Sequence, residues 1–210
     1  MSTLKKQAYE TIKKQIMEAQ PGAVFTVRRS AEDLGLSYTP VREALLKLKN
    51  EGILNLNPNT GFSVVELDMR AIQNIYQSRE CVEHYVLPRV IERLDEDDLR
   101  ILNSLVLKQK KAMDEGDTSL YTEMDAEFHV YLIDKLQNQQ ISDFYRRVRS
   151  QYRIGSKMIV KNHSSVPIME HERFLELVRN KQFDEAMNCL YDHTSAAVER
   201  MKDGYVQIGL

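Results

Sequence analysis

Apolar residues recur at helical spacing along almost the whole chain. Over 4–19, Ala8, Ile12 and Ile16 fall on one face with Tyr9 beside them, and Pro21-Gly22 ends the pattern. Thr26 is placed to cap a short helix through Leu34, which Gly35 closes in the left-handed conformation. Residues 36–50 read as a further helix. Ser37 is its expected N-cap, through a hydroxyl that accepts from a first-turn N–H, and Pro40 is tolerable where the N–H groups have no helical partner. Val41, Ala44, Leu45 and Leu48 form its buried stripe, with Tyr38, Thr39 and Arg42 outward near its start. Only at 53–57 and 62–66 do short runs read as strands, joined by the turn-forming Pro58-Asn59-Thr60-Gly61. Three helices and a hairpin predict a winged helix-turn-helix over 1–67.

From 68 to 210 the period is helical, with almost no strand signal. Helices are expected near 69–94, 96–115, 118–136, 141–161, 166–179 and 182–203, broken at Gly, Asn, Pro and charged clusters. The predicted fold is mainly α: the winged helix-turn-helix, then an all-α antiparallel bundle of six helices.

Within that bundle, polar residues interrupt apolar stripes. Asp125, Phe128, His129, Leu132 and Leu136 share one face, so Asp125 and His129 lie one turn apart in the core stripe. His171 lies among Ile168, Leu175 and Val178, and His193 among Phe183, Ala186, Leu190 and Ala197. One carboxylate and three imidazoles thus point inward from three helices. A buried carboxylate is costly unless paired or metal-bound, and His is the commonest metal ligand. Their convergence on a divalent cation (Zn, Ni, Fe or Mn) would resolve that cost; taken one at a time, each His reads first as a satisfied core histidine, and it is the four inward polar groups together that shift the weight. His84 shares a face with Gln73, Gln77 and Glu80 and is expected in solvent, and His163 in a loop.

Arg79 lies on the stripe of Ile72, Ile75, Val82 and Val86, with Glu83 one turn later. It is either a helix salt bridge at the bundle edge or a guanidinium for an effector carboxylate. Arg146, Arg147, Arg149 and Arg153 are expected to form a solvated face, with added cavity cations as the alternative.

Charge adds a weak asymmetry. The net charge is −2, yet residues 1–66 hold nine basic and seven acidic side chains, so the rest carries −4. DNA binding on that balance rests on a few placed contacts and on dimerisation. Cys81 and Cys189 have no metal or framework spacing and are expected as buried, reduced thiols of a cytoplasmic protein. The first residues lack a signal-peptide apolar region, and no apolar run approaches the ~18 residues of a membrane span.

Several motifs carry a resemblance. Pro21-Gly22, Ala31-Glu32-Asp33-Leu34-Gly35-Leu36-Ser37, Thr39-Pro40-Val41-Arg42-Glu43-Ala44-Leu45, Glu51-Gly52 and the turn at 57–61 resemble the GntR family of bacterial transcription regulators. The resemblance implies DNA contacts by Arg28, Thr39, Arg42 and the wing tip at Thr60 and Gly61. Tyr38 stands where the family usually has Arg, and Arg29-Ser30 where Glu-Leu is usual; Arg29 then offers a substitute phosphate contact. The alternative is that Arg28, Arg29 and Arg42 are solvated helix charges. Asp125-x-x-Phe128-His129, Glu170-His171-Glu172 and Asp192-His193 resemble the FCD ligand-binding domain of FadR-type regulators, in the six-helix form of the VanR subgroup. That likeness implies a divalent metal on Asp125, His129, His171 and His193 at the base of an effector cavity, and it supports Arg79 as a carboxylate partner. The expected protein is a homodimeric regulator, a repressor of a palindromic operator relieved by a small carboxylate. A metal-dependent hydrolase using the Asp/His site is the competing reading, against which no further base or nucleophile shares those stripes.

Overall fold

The structure, a computed structural model, describes residues 3–159 and 164–207, with side chains over 4–154 and 164–200. The expected end of the fourth bundle helix beyond 159 and His163 lie outside the described residues. The chain divides into two compact units between Asp68 and Met69.

In the first unit, α1 (Thr3–Glu18) buries Ala8, Tyr9, Ile12, Ile16 and Met17 against α3 (Tyr38–Asn50). Thr26 caps α2 (Val27–Leu34), its Oγ1 accepting from the Arg29 N–H at 3.2 Å, and Gly35 closes it at φ 62°. Val41, Ala44, Leu45 and Leu48 are buried as expected, and so is Pro40. Ser37 departs from expectation: it has the extended backbone of an N-cap, but its hydroxyl makes no capping bond. A two-residue strand that the sequence did not announce, β1 (Val24–Phe25), pairs with β3 (Gly61–Val64), which also pairs with β2 (Leu54–Asn57). The antiparallel order is β1-β3-β2. Gly61 is required by this sheet, since its φ is 105° and a Cβ there would stand 2.7 Å from the Phe25 carbonyl oxygen.

The second unit contains, among the described residues, six α-helices and no strand. They are α4 (Met69–Val90), α5 (Glu96–Asp114), α6 (Thr118–Asp134), α7 (Gln139–Ile159), α8 (Val166–Arg179) and α9 (Phe183–Gln207). The expected first helix to residue 94 instead tightens into a 3-10 turn at Ile91–Arg93, just after Pro88. Helix α4 packs on α6, α7 and α9, while α5 packs on α6 and α8. Leu102, Val106, Phe128, Leu132, Phe174 and Leu190 lie at the centre of the apolar core. Among the described residues, no helix is long and apolar enough to cross a membrane.

One ionic contact ties this bundle at the end of α6. Asp95 and Asp98 form a reciprocal cap on α5, and buried Asp98 also accepts from the Tyr131 hydroxyl at 2.7 Å and from Lys135 at 2.5 and 2.7 Å. Burial alone would raise the Asp98 carboxyl, but Lys135, the Asp95 amide and Tyr131 together hold it below its ordinary value. A carboxyl that titrates lower when folded stabilises the fold above its unfolded pKa of about 4 and stops doing so as pH falls through its folded value. Asp98→Asn is therefore expected to lower the unfolding free energy by about 2 kcal/mol at neutral pH. In urea titrations the gap from wild type should close below about pH 4; an equal gap at both pH values would contradict this role.

Candidate metal centre and nucleic-acid interface

Helix α6 presents Asp125 and His129 one turn apart, α8 presents His171, and α9 presents His193; all four are buried. Their ligand atoms all lie within 4.8 Å of one another. His129 Nε2 stands 3.1 Å from His193 Nε2 and 3.3 Å from His171 Nε2, while Asp125 Oδ1 is 3.9 Å from His171 Nε2. The three rings have their other nitrogens turned outward. His171 Nδ1 donates to Gln109 Oε1 (3.2 Å), His193 Nδ1 donates to Glu170 Oε2 (2.7 Å), and His129 Nδ1 faces Glu83 Oε1 at 3.6 Å. In a neutral ring a proton held on Nδ1 leaves a lone pair on Nε2, the form in which the three converging Nε2 atoms would share one cation.

Burial, then Arg149, Arg79 and the neighbouring imidazoles, push His129 well below its usual pKa, and burial with His193 does the same for His171. Both are therefore neutral, the ligand form. Burial would raise Asp125, but the Arg149 guanidinium, with His171 and His193, holds it far below the carboxylate range. Glu170 is also lowered against its burial by its bonds to His193 and Arg200.

Arg79 and Glu83 do pair, Nε to Oε1 at 3.4 Å, but in the interior: both are almost wholly buried, which corrects the expected salt bridge at the bundle edge. Glu83 is a hub. Tyr145 donates to Oε1 at 2.5 Å and Thr194 to Oε2 at 2.7 Å. The expected solvated arginine face holds for Arg146 and Arg147 but not for Arg149, which is buried and ion-paired to Asp125 Oδ2. The available signal was that Arg149 lies four residues after buried Tyr145 and seven after buried Ser142. Gln109 and Glu170 were also missed; Gln109 sits in the stripe of Leu102 and Val106, a polar interruption of the same kind as Asp125.

The remaining candidates stay apart from the cluster. His84 is exposed and stacks on Tyr191 at 3.8 Å. Cys81 is exposed and Cys189 half-buried, contrary to the expected pair of buried thiols. In the first unit Arg28 and Arg29 are exposed on α2, paired with Glu32 (3.0 Å) and Asp33 (4.0 Å) one turn on. Tyr38, Thr39 and Arg42 are exposed on the first turns of α3, and Thr60 in the turn before β3. Such surface pairs are weak enough to be exchanged for phosphate.

Residues 74–196 match the family described as FCD domain, and residues 4–64 match "Bacterial regulatory proteins, gntR family". The chain is 27% identical over 202 residues to the HTH-type transcriptional regulator YdhC of Bacillus subtilis, covering 93% of this chain and 90% of the relative. It is 37% identical over 98 residues to the HTH-type transcriptional regulator McbR of Escherichia coli, covering 47% and 44% of the two chains. The solved structure of E. coli McbR/YncC matches with a TM-score of 0.85 at 24% identity over 98% of this chain and 100% of that one, a likeness of fold.

The Glu83 hub yields a stability test. Thr194→Val keeps the shape of the side chain and removes one of its donors, so the buried carboxylate loses a charge-assisted bond. Chelator-treated protein should lose about 2 kcal/mol in urea titrations. No loss would mean that Glu83 does not need that donor.

Proposed function

The chain belongs to the GntR family of bacterial regulatory proteins and carries an FCD domain, and from that membership we propose how this regulator is controlled. The matched families and relatives are DNA-binding transcription regulators rather than enzymes. Our reading is a cytoplasmic, homodimeric repressor of a palindromic operator, controlled by a divalent metal and released by a small carboxylate effector.

One observation carries the metal part of this reading: three Nε2 atoms, two of them on rings whose Nδ1 is hydrogen-bonded outward, converge at 3.1 and 3.3 Å beside Asp125. Nitrogens that share a cation at about 2.0–2.1 Å lie about 3–3.4 Å apart, so the cluster fits. Asp125, His129, His171 and His193 would hold the ion, and the donor set suits Zn, Ni, Fe or Mn. When bound, the ion supplies a Lewis-acid contact for an effector oxygen. Gln109 and Glu170 orient two of the imidazoles, and Arg149 fixes Asp125 by its outer oxygen. Arg79 supports the carboxylate part, since its Nη2 is buried with no hydrogen-bond partner among the described residues. Arg79 and Glu83 both lie on α4, the first helix after the winged half, so an effector that engages Arg79 acts on the helix that leads out of that half. Differential effector binding by two domain arrangements would then make the response allosteric.

At the DNA end, Thr39 and Arg42, with Tyr38 in place of the family's usual Arg, would read bases or clamp phosphate from the start of α3. Arg28 and Arg29 would clamp phosphate, and Thr60 and Gly61 would bring the wing to the duplex. Two half-sites held by one dimer raise modest affinities to useful ones.

Selection of genomic fragments by the purified protein, followed by sequencing, tests the regulator. A recurring palindrome is expected, and purely salt-sensitive, sequence-blind retention would overturn the operator reading. On the selected site, Arg42→Ala should weaken binding about tenfold or more; unchanged affinity would remove Arg42 from the interface. Metal analysis of dialysed protein should find close to one ion per chain. His171→Ala should lose that ion and the metal-dependent rise in melting temperature, whereas retention of both would refute the assigned ligand set.

A further inference from the structure

Two guanidinium groups beside the His/Asp cluster have unused donors. Arg79 spends Nε on Glu83 and Arg149 spends Nη2 on Asp125. Arg79 Nη2 and Arg149 Nε and Nη1 are buried with no hydrogen-bond partner among the described residues, in side chains only 1% and 2% exposed. Both groups lie over the same Tyr152 ring, at 5.2 and 5.0 Å from its centre, and both act on the Asp125 carboxyl. A ring face attracts the charge but accepts no N–H in the guanidinium plane, so the in-plane donors remain unmatched.

Charge says what the missing acceptor must be. Arg79 with Glu83 and Arg149 with Asp125 balance pairwise, so no buried carboxylate is left over for the free edges. A divalent ion among the imidazoles would add two positive charges to a core whose buried carboxylates Asp125 and Glu83 are already paired with guanidiniums. An acceptor from outside must therefore bring negative charge both to the cluster and to the guanidiniums.

We propose that Arg149 joins Arg79 in an oxyanion subsite, and that the effector is a small organic dianion, one oxyanion group on the free guanidinium edges and the other facing the Asp125–His cluster. This rests on the metal reading above and narrows its carboxylate effector to a doubly charged one. Paired carboxylates carry this charge, and a carboxylate joined to a phosphoryl group offers the same two oxyanion groups with a further part-charge on the phosphoryl.

The test uses the full chain, with uptake of zinc or nickel measured first by chelator competition. Malonate, succinate and glutarate are then titrated calorimetrically, each against its monoamide, with phosphoglycolate as the phosphoryl arm. At least one dianion is expected to bind about tenfold or more tightly than its singly charged counterpart, as loss of a charge-assisted contact implies. Whether dicarboxylates or phosphoglycolate bind more tightly identifies the source. In Arg149→Met that ratio should fall toward one, while Arg149→Lys, which keeps the charge, should retain part of it. A ratio near one in the wild type, or no binding by any dianion in protein that has taken up metal, overturns the inference and leaves the metal reading standing. Failure to take up metal overturns the metal reading instead, and the same ratio measured without metal then decides the subsite.

Discussion

Asp125 is ionised inside an apolar helical bundle, and the centre of the second unit is arranged around that fact. Arg149 reaches it from α7, His171 approaches from α8, and Gln109 offers an amide from α5 at 3.4 Å. An unpaired carboxylate in this position would take up a proton or open the bundle. The charge thus recruits one side chain from each of three neighbouring helices and sets how they face one another.

The same demand propagates outward. Each imidazole that turns Nε2 toward Asp125 must satisfy Nδ1 behind it, which draws in Gln109 and Glu170 and brings Glu83 near. Glu83 in turn occupies Arg79, Tyr145 and Thr194, and Glu170 occupies Arg200. Polar contacts then run through α4, α6, α7, α8 and α9, inside a bundle otherwise built from Leu, Ile, Val and Phe. Networks of this kind specify a single arrangement because a half-satisfied version is worse than none. The guanidinium edges left over are where the network stops short of closure.

Much of this was legible in the sequence because helices are periodic. Asp125 and His129 at a four-residue spacing, and His171 and His193 each within an apolar stripe, declare an inward direction through spacing alone. The winged half was legible through its turn chemistry, with Gly35 and the 57–61 turn at the ends of elements. Other features left no such trace. A two-residue strand such as β1 is too short to alternate. Arg149 was masked by exposed Arg146 and Arg147, since a basic run reads as a solvated face unless the register of Tyr145 is followed. Whether the Ser37 hydroxyl caps its helix depends on a rotamer, and residue type does not fix one. The exposure of Cys81 depends on which flank of α4 its neighbours cover, a tertiary fact.

The Asp125–Arg149 pair also constrains how this chain can drift over generations. A neutral residue at 125 strands a buried guanidinium, and a neutral residue at 149 strands a buried carboxylate, so either single step passes through a damaged protein. Arg146 and Arg147, one and two positions beyond Tyr145 on the exposed side, carry no such tie to the interior. Within one short run of arginines, two are free to wander and the third can change only in company with a residue two dozen positions away.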